Sequence, residues 1–597
     1  MSLLSDIWGI LTRPQRRLVV FAQLLSIAMA LSTVTGIASI APFFAVLGNP
    51  GAIQQNRYLH WLYVQSALSD ARSFEVILGL GFVSLVLVSN LINAVGSFVI
   101  VKLVSSIGAD LKSELFGEYL ARPYAFHATT HSAVLFNNVM HETSRLTNDV
   151  LQNIFVVVTN LATGSLIVLS VLLLNPRVAV GMIAALAGGY LLIYLAVRKR
   201  LTQAGRVQSH HFTEQARVVN ESFGAIKEIQ ILRIQDFFRA SFRRSSKTYA
   251  RSAANAQLIA QSPRYVMECV AVAGLVIVAL FGSAREGGIG PWLGQFTFLG
   301  FAAYRLLPTF QQAFAAIVRI RGGLAGIATV IPHLQVARRK PVAASRSDSL
   351  LTECPRHGIE LKEVCFRYTH DRKPAIDNLS MRIPARAIVG LVGSNGSGKT
   401  TIVDLVAGLI APDTGSVIVD DTLLDDSNRA AWQSCIAYVP QNVFLLDTSI
   451  AENIALGISP ASIDRHRLQL AAQLAQLDEF VAALPDTYQH RVGERGVKMS
   501  GGQRQRIGIA RALYTSASVL VLDEATNALD GLTEQEFMST LLRLRGRYTI
   551  VVVSHQLNMV RGCDVIFELE GGKIASSGTY TELMTSSESF KRLANAQ

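Results

Sequence analysis

Six apolar stretches, each long enough to cross a lipid bilayer, govern what this chain can fold into: about 18–46, 76–100, 151–174, 178–197, 265–283 and 292–316. A span needs roughly 20 mainly apolar residues, and a helix satisfies its own backbone N–H and C=O groups where water is absent. Six spans return both ends of the chain to one side. Arg13, Arg16 and Arg17 precede the first span, and the segments 101–150 and 198–264 are rich in Lys and Arg, including Arg198-Lys199-Arg200 and Arg243-Arg244. Loops of this charge stay in the cytoplasm. The opposite connections are poor in charge: the second is little more than Asn175-Pro176-Arg177, and the third is a Gly-rich run at 283–290.

Charge also separates the chain into two halves. The net charge is +12, yet residues 1–340 hold 30 Lys+Arg against 14 Asp+Glu, whereas 341–597 hold 25 against 29. A basic excess confined to the apolar half fits loops beneath an anionic leaflet rather than a nucleic-acid face, so no nucleic-acid partner is expected. The five cysteines show no CxxC or Cys/His ligand spacing, which supports neither a disulfide framework nor a zinc site. His210-His211 point to different helix faces with no carboxylate cluster beside them, and they read as solvated. The N-terminal run MSLLSDIWGILTRPQRR lacks a cleavable apolar core and reads as an amphipathic lead-in that stays attached.

Two connections, of about 50 and 65 residues, are far longer than a helical bundle needs and keep a helical pattern. They read as helices continuing into the cytoplasm, interrupted around Pro123 to Asn138 and around Glu221 to Leu232. Each break is either a short transverse helix that touches another domain or the tip of a solvated hairpin. After Arg338-Arg339-Lys340 and the polar run PVAASRSDS, short β-rich runs (AIVGLVG, SVIVD, SVLVLDEA, YTIVVVSH) alternate with helical segments. The expected fold is therefore a membrane α-helical bundle of six transmembrane helices with long cytoplasmic extensions over 1–335. A linker at 336–357 and an α/β domain at 358–597 follow.

The chemistry lies in the second half. AIVGLV runs into Gly393, Ser394, Asn395, Gly396, Ser397, Gly398, Lys399 and Thr400, then into the helical TTIVDLVAGL beginning with Thr400 and Thr401. Strand, glycine loop and helix in this order make a phosphate-binding loop: backbone N–H groups wrap phosphates at the helix N-terminus, Lys399 reaches the outer phosphates, and Thr400 offers a hydroxyl to Mg2+. SVLVLDEA ends a buried strand on Asp523, placed to hold Mg2+, and Glu524, placed to orient or activate water. YTIVVVSH puts His555 at a similar strand end, within reach of a terminal phosphate. Ser500, Gly501, Gly502 and Gln503 form a further anion site at the start of a helix.

The run Met499-Ser500-Gly501-Gly502-Gln503 resembles the signature loop of the ATP-binding cassette (ABC) family, usually written LSGGQ, with Met in place of Leu. The resemblance covers the whole chain and implies an exporter half-transporter that binds ATP and Mg2+ and hydrolyses ATP. It implies that Tyr368 stacks on adenine and that Gln441 senses Mg2+ beside the membrane domain. It also places Asp530 at a subunit boundary, and Val492 to Gly496 in the loop that cross-links exporter domains. Asn527 stands where Ser is commoner. One cassette is present and two are needed, which implies a homodimer, with a heterodimer as the other possibility.

The cargo is less defined. Arg264, Glu268 and Arg305 lie within or near the last two spans, where ionisable groups are costly enough to suggest function. Arg264 and Glu268 also form an i,i+4 pair, and Arg305 has the alternative of bonding a neighbouring helix. SPRYVME, AAYRLLP and GAIKEI look like the bacterial exporters that flip lipid-linked oligosaccharides. That likeness implies the bacterial cytoplasmic (inner) membrane and a polyprenyl-pyrophosphate oligosaccharide as substrate. Tyr58, Trp61 and Tyr63 suggest an interfacial helix, serving either a lipid tail or plain anchoring. A lipid A-like glycolipid and hydrophobic drugs remain open as cargo; a soluble ATPase motor and a nucleotide-gated channel are the readings from other classes.

Overall fold

The computed structural model describes residues 2–39, 43, 46–47, 51–55, 57–66, 71–174, 176–283, 293–339, 355–368, 373–525 and 531–595. Among the described residues each of the six expected spans falls mainly on a helix; residues 40–42 and 44–45 of the first and 292 of the last lie outside them. α1 (Arg13–Ala38) and α2 (Ala71–Leu120) carry the first two, and the 50 residues of α2 amount to roughly 75 Å at 1.5 Å per residue. α3 (Tyr124–Thr129) is a short helix at the first expected break. The third span is α4 (Gln152–Leu174), reached through a helical run from Ser132 that includes π turns at Asn137–Glu142 and Leu146–Leu151. α5 (Pro176–Gly224) leads to α6 (Ile226–Leu232) at the second break, where Arg233 ends the helix in the left-handed region at φ 53°. α7 (Gln235–Gln261), α8 (Pro263–Ser283) and α9 (Leu293–Arg339) complete the bundle. On length and hydropathy alone, Arg13–Gly36, Arg72–Leu120 and Ser132–Leu172 qualify as spans among the described residues.

Polar side chains tie the cytoplasmic extensions together. The π turns bury Glu142 and Arg145 on the run leading into α4, and single π turns tend to mark functional places in a helix. Arg145 bonds Glu142 at 3.2 Å, donates to the Gly322 carbonyl of α9 at 2.6 Å, and faces Asp149 at 3.7 Å. The helices approach closely because α9 is glycine-rich here: a Cβ at Gly326 would overlap the Glu142 carboxylate. In the first outer connection, Tyr58 and Trp61 are exposed on the helix Arg57–Gln65, whereas Tyr63 packs edge-on against Phe74.

The second half contains two sheets. β1 (Gly358–Phe366), β2 (Ile376–Pro384), β4 (Thr414–Val419) and β5 (Thr422–Leu423) form an antiparallel sheet in the order β2-β1-β4-β5. β3 (Ile388–Gly393), β6 (Ile436–Val439), β7 (Val519–Asp523), β8 (Thr549–Val553), β9 (Val565–Glu570) and β10 (Lys573–Gly578) form the other, in the order β10-β9-β3-β8-β7-β6. β6, β7, β8, β3 and β9 run parallel, and β10 is antiparallel to β9. Every residue of β3, β7 and β8 is buried, as expected for parallel strands covered on both faces. The run SVIVD belongs to the antiparallel sheet, so the domain is not a single alternating α/β unit.

Two compact units result. The first comprises Met1–Arg122 and Thr129–Val342, the second Pro123–Ala128 and Ala343–Gln597. This division falls between Val342 and Ala343, inside the expected linker 336–357, and assigns Pro123–Ala128 at α3 to the second unit. α9 ends at Arg339 and β1 begins at Gly358; the residues 340–354 of the expected linker lie outside the described residues.

Candidate functional site

Strand order assembles the nucleotide site. β3, β8 and β7 are neighbours and parallel, so their C-terminal ends open on one edge, the usual place for a ligand in an open α/β sheet. Residues 394–398 leave β3 there, and α10 (Lys399–Val406) begins immediately after. The loop needs glycine at Gly398, where φ is +103° and a Cβ would meet the Ala375 carbonyl at 2.9 Å. Lys399 is buried and its Nζ donates to the carbonyls of Gly393 and Ser394 at 2.9 and 3.0 Å. Burial lowers the Lys399 pKa, while the carboxylates of Glu524 and Asp523 oppose that shift. The Ser397 hydroxyl oxygen is buried without a hydrogen-bond partner. A buried cation, a glycine-bared loop and an unpaired hydroxyl at a helix N-terminus fit a polyphosphate.

The acids and their partners stand at the next two strand ends. Asp523 accepts a hydrogen bond from the Tyr438 hydroxyl at 3.2 Å, and burial raises its pKa. Glu524 holds φ at +50°, a conformation costly for a non-glycine residue and common at functional sites. One Glu524 oxygen lies 2.5 Å from His555 Nε2, and the other accepts from the Gln441 amide. Three residues far apart in sequence thus meet at one carboxylate. Thr400 is exposed beside Lys399; its hydroxyl with Asp523 suits Mg2+, a cation usually held by one or two protein oxygens plus substrate phosphates and water. Tyr368 leaves 47% of its surface exposed, and its hydroxyl lies 3.2 Å from that of the buried Thr401.

Two residues were not singled out from sequence. Asp404, one turn into α10, is buried beneath the loop, and burial pushes its pKa up to about 6, with Asp523 adding and a hydrogen bond with Tyr368 opposing. An acid inside the apolar run TIVDLV was the available signal. Tyr438 was the other; it stands three residues before Gln441 in YVPQ.

The residues 500–503 make a preformed helix start. Ser500 caps α11 (Gly501–Tyr514): its oxygen accepts from Gln503 N–H at 3.2 Å, and the Gln503 side chain accepts from Ser500 N–H at 2.8 Å. The Ser500 hydroxyl therefore spends a lone pair on the cap and keeps its proton for a ligand. Met499 is buried, which suits its replacement of Leu. These bonds close within the turn and fix the start of α11 at Ser500–Gln503, apart in sequence from the 393–401 loop. Asp530 and Asn527 lie outside the described residues.

In the first unit, α1, α2, α4 and α9 enclose a cavity of about 430 Å3, and Arg305 is the one charged residue lining it among those described. The Arg305 Nε is buried without a hydrogen-bond partner, and its guanidinium lies 5.9 Å from the Phe301 ring centroid. Arg264 is absent from this lining; it faces Glu268 at 4.0 Å, with both side chains more than half exposed. Of the two arginines, the structure brings Arg305 alone to the cavity.

A family model described as "ABC transporter" matches residues 376–527, and one described as "ABC transporter transmembrane region" matches 17–304. A protein of Saccharophagus degradans named "ATP-dependent lipid A-core flippase" is 30% identical over 542 residues, covering 88% of each chain. The chain is an ABC exporter half-transporter. A Ralstonia nicotianae protein of the same name is 29% identical over 480 residues, 80% of this half-transporter and 79% of the relative. The solved structure "Structure of a bacterial Atm1-family ABC exporter with ATP bound" superposes with a TM-score of 0.78 over 98% of both chains at 20% identity, which shows a shared fold. The half-transporter spans a membrane, binds nucleotide in its cassette, and couples ATP hydrolysis to transport.

Proposed function

We propose that this half-transporter flips a phosphorylated glycolipid across the bacterial cytoplasmic membrane, as a homodimer powered by ATP with Mg2+. The observation carrying the reading is the cavity with Arg305 as its one lining charge among the described residues. A guanidinium suits a phosphate oxygen pair better than any other side chain. Lipid A-core flippases among the relatives favour a lipid A-type substrate, and a polyprenyl-pyrophosphate oligosaccharide presents the same head-group chemistry.

In the cassette, Glu524 acts as general base toward the attacking water, held by His555 and Gln441. Lys399 and the loop N–H groups bind the phosphates, Tyr368 carries the adenine, and Thr400 with Asp523 would hold Mg2+, which would offset charge on the phosphates. Ser500 to Gln503 engage the nucleotide held by the other copy, with Asp530 at the boundary between copies. Such pairing explains why one chain carries two separate anion sites. Closing two copies around nucleotide moves the long helices and turns the cavity outward; hydrolysis resets them.

The test is leaflet exchange in liposomes of purified protein, wild type beside Glu524→Gln, with a lipid A-core glycolipid or a polyprenyl-pyrophosphate oligosaccharide. ATP-dependent movement of either by wild type and not by the variant is expected. Hydrolysis without movement of either lipid refutes the substrate class, and the lipid moved decides between the two.

A further inference from the structure

Gln505 is a polar residue in a packed place. It stands on α11, beyond the cap Ser500, and only 3% of its surface is exposed. A buried amide is costly unless it is bonded, and Gln505 Nε2 donates to the carbonyl of Pro440 at 3.3 Å. That bond is the first of three contacts made at every third residue of α11. Gly508 brings the helix so close to Val443 that a Cβ there would lie 2.5 Å from Val443 Cγ2. Arg511 donates from Nη2 to the Phe444 carbonyl at 3.1 Å and from Nε to that of Asn453 at 2.8 Å. Residues three apart are neighbours on a helix, so adjoining positions of α11 hold the segment 440–444 by an amide, a bare backbone and a guanidinium.

The start of that segment also holds both acids. β6 ends at Val439. Just before that end the Tyr438 hydroxyl donates to Asp523 at 3.2 Å, and just after it the Gln441 amide donates to Glu524. Pro440 lies between the two donors. Its ring fixes φ and keeps the preceding residue extended, so the link is stiff and a displacement of Pro440 passes to its neighbours instead of being absorbed. Glu524 sits at φ +50°, a conformation that persists only where surrounding contacts over-determine it, and the Gln441 amide is one of those contacts.

We infer that Gln505 is a positioning residue for ATP hydrolysis: by holding Pro440 it fixes the place from which Gln441 and Tyr438 hold Glu524 and Asp523. Its role is indirect, and it bears on the rate of hydrolysis rather than on ATP affinity, which belongs to Lys399, Tyr368 and the loop 393–401. The helix that begins at the Ser500 cap is thereby joined to the acids of its own chain. The inference rests on Glu524 as general base and adds the residue that sets where that base stands.

The experiment uses the full-length protein in liposomes, with ATP affinity measured in the absence of Mg2+ and kcat taken per nucleotide site titrated, so that a misfolded fraction drops out. Gln505→Met keeps the length of the side chain and loses the donor. It is expected to lower kcat about tenfold, as a modest misplacement of a catalytic group does, with the Kd for ATP within about twofold of wild type. In a Tyr438→Phe/Gln441→Ala background the same change should add less than about twofold, because residues that act through one another are not additive; a purely structural effect multiplies equally in both backgrounds. Gly508→Ala should lower kcat by pushing Val443 away, and adding Val443→Ala should restore it, which keeps the test decisive where Gln505→Met does not fold. An unaltered kcat in folded Gln505→Met, a loss of ATP affinity in place of kcat, an equal fall in both backgrounds, or a Gly508→Ala loss that Val443→Ala leaves unrelieved overturns the inference alone. Undiminished hydrolysis by Glu524→Gln overturns the reading of Glu524 as base and this inference with it.

Discussion

Replacing Asp404 by Asn should stabilise the cassette, and the gain should depend on pH. The carboxyl is buried beneath the phosphate loop, near Asp523, and its pKa rises from 3.8 to about 6. A raised carboxyl pKa means that the unfolded chain releases the proton before the native one does. Native stability therefore falls as pH climbs from about 4 through 6, and the full penalty persists above 6. At 1.36 kcal/mol per unit, the shift amounts to about 3 kcal/mol at pH 7.5 and roughly half that at pH 5. Asparagine preserves the shape and an acceptor for Tyr368 but carries no charge. The ceiling is thus a rise of about 6–12 °C in the cassette transition at pH 7.5, with less structural relaxation bringing the value nearer that ceiling. Thermal scans of full-length wild type and Asp404→Asn from pH 5 to 8 read it directly. A variant less stable than wild type at pH 7.5, or a difference that stays constant across the series, refutes the reasoning.

Glu524→Gln should lower phosphate release at least about a hundredfold, the usual contribution of a general base, while nucleotide binding persists; a loss below tenfold in steady-state hydrolysis argues against that role. Ser500→Ala removes the cap of α11 and the hydroxyl proton together, costing about 1 kcal/mol of stability and most of the hydrolysis, whereas Ser500→Thr should recover both in the same scans and assays. Gly326→Ala places a methyl into the Glu142 carboxylate and should cost about 1–3 kcal/mol as overpacking. Gly322→Ala, whose Cβ meets nothing within 4 Å, is the control and should not lower the unfolding temperature.

Chemistry packed into contiguous residues was legible in the sequence. The loop 393–400, the acids 523–524 and the turn 500–503 each carry their own strand or helix context, because local geometry there is set by neighbours in the chain. The two helix breaks were legible for the same reason, and the structure places α3 and α6 at them. The contacts of Glu524 with His555 and Gln441 were not, since they depend on β7 lying beside β8 and β6, a long-range pairing that periodicity does not encode. The antiparallel sheet was missed because SVIVD looks alike as a buried parallel strand or an antiparallel one. The i,i+4 spacing already offered Arg264 the partner Glu268, which it faces; for Arg305 the spacing left a neighbouring helix or a ligand open, and packing places it in the cavity.

The clamp around Arg145 ties the run leading into α4 to α9 beyond the end of the cavity. Asn160 and Thr159 lie on α4, and Arg305 lies on α9. About four turns toward the cytoplasm, Arg145 joins the same two helical runs, bonded to Glu142 on its own side and to the Gly322 carbonyl on α9. A buried ion pair contributes little net stability after desolvation, so its value here is geometric: it sets the register of the two helices where glycines let them touch. Asn160 on α4 and Arg305 on α9 are therefore held at a separation that depends on this register. A shift of α4 against α9 would break the Gly322 bond and move Asn160 relative to Arg305 together.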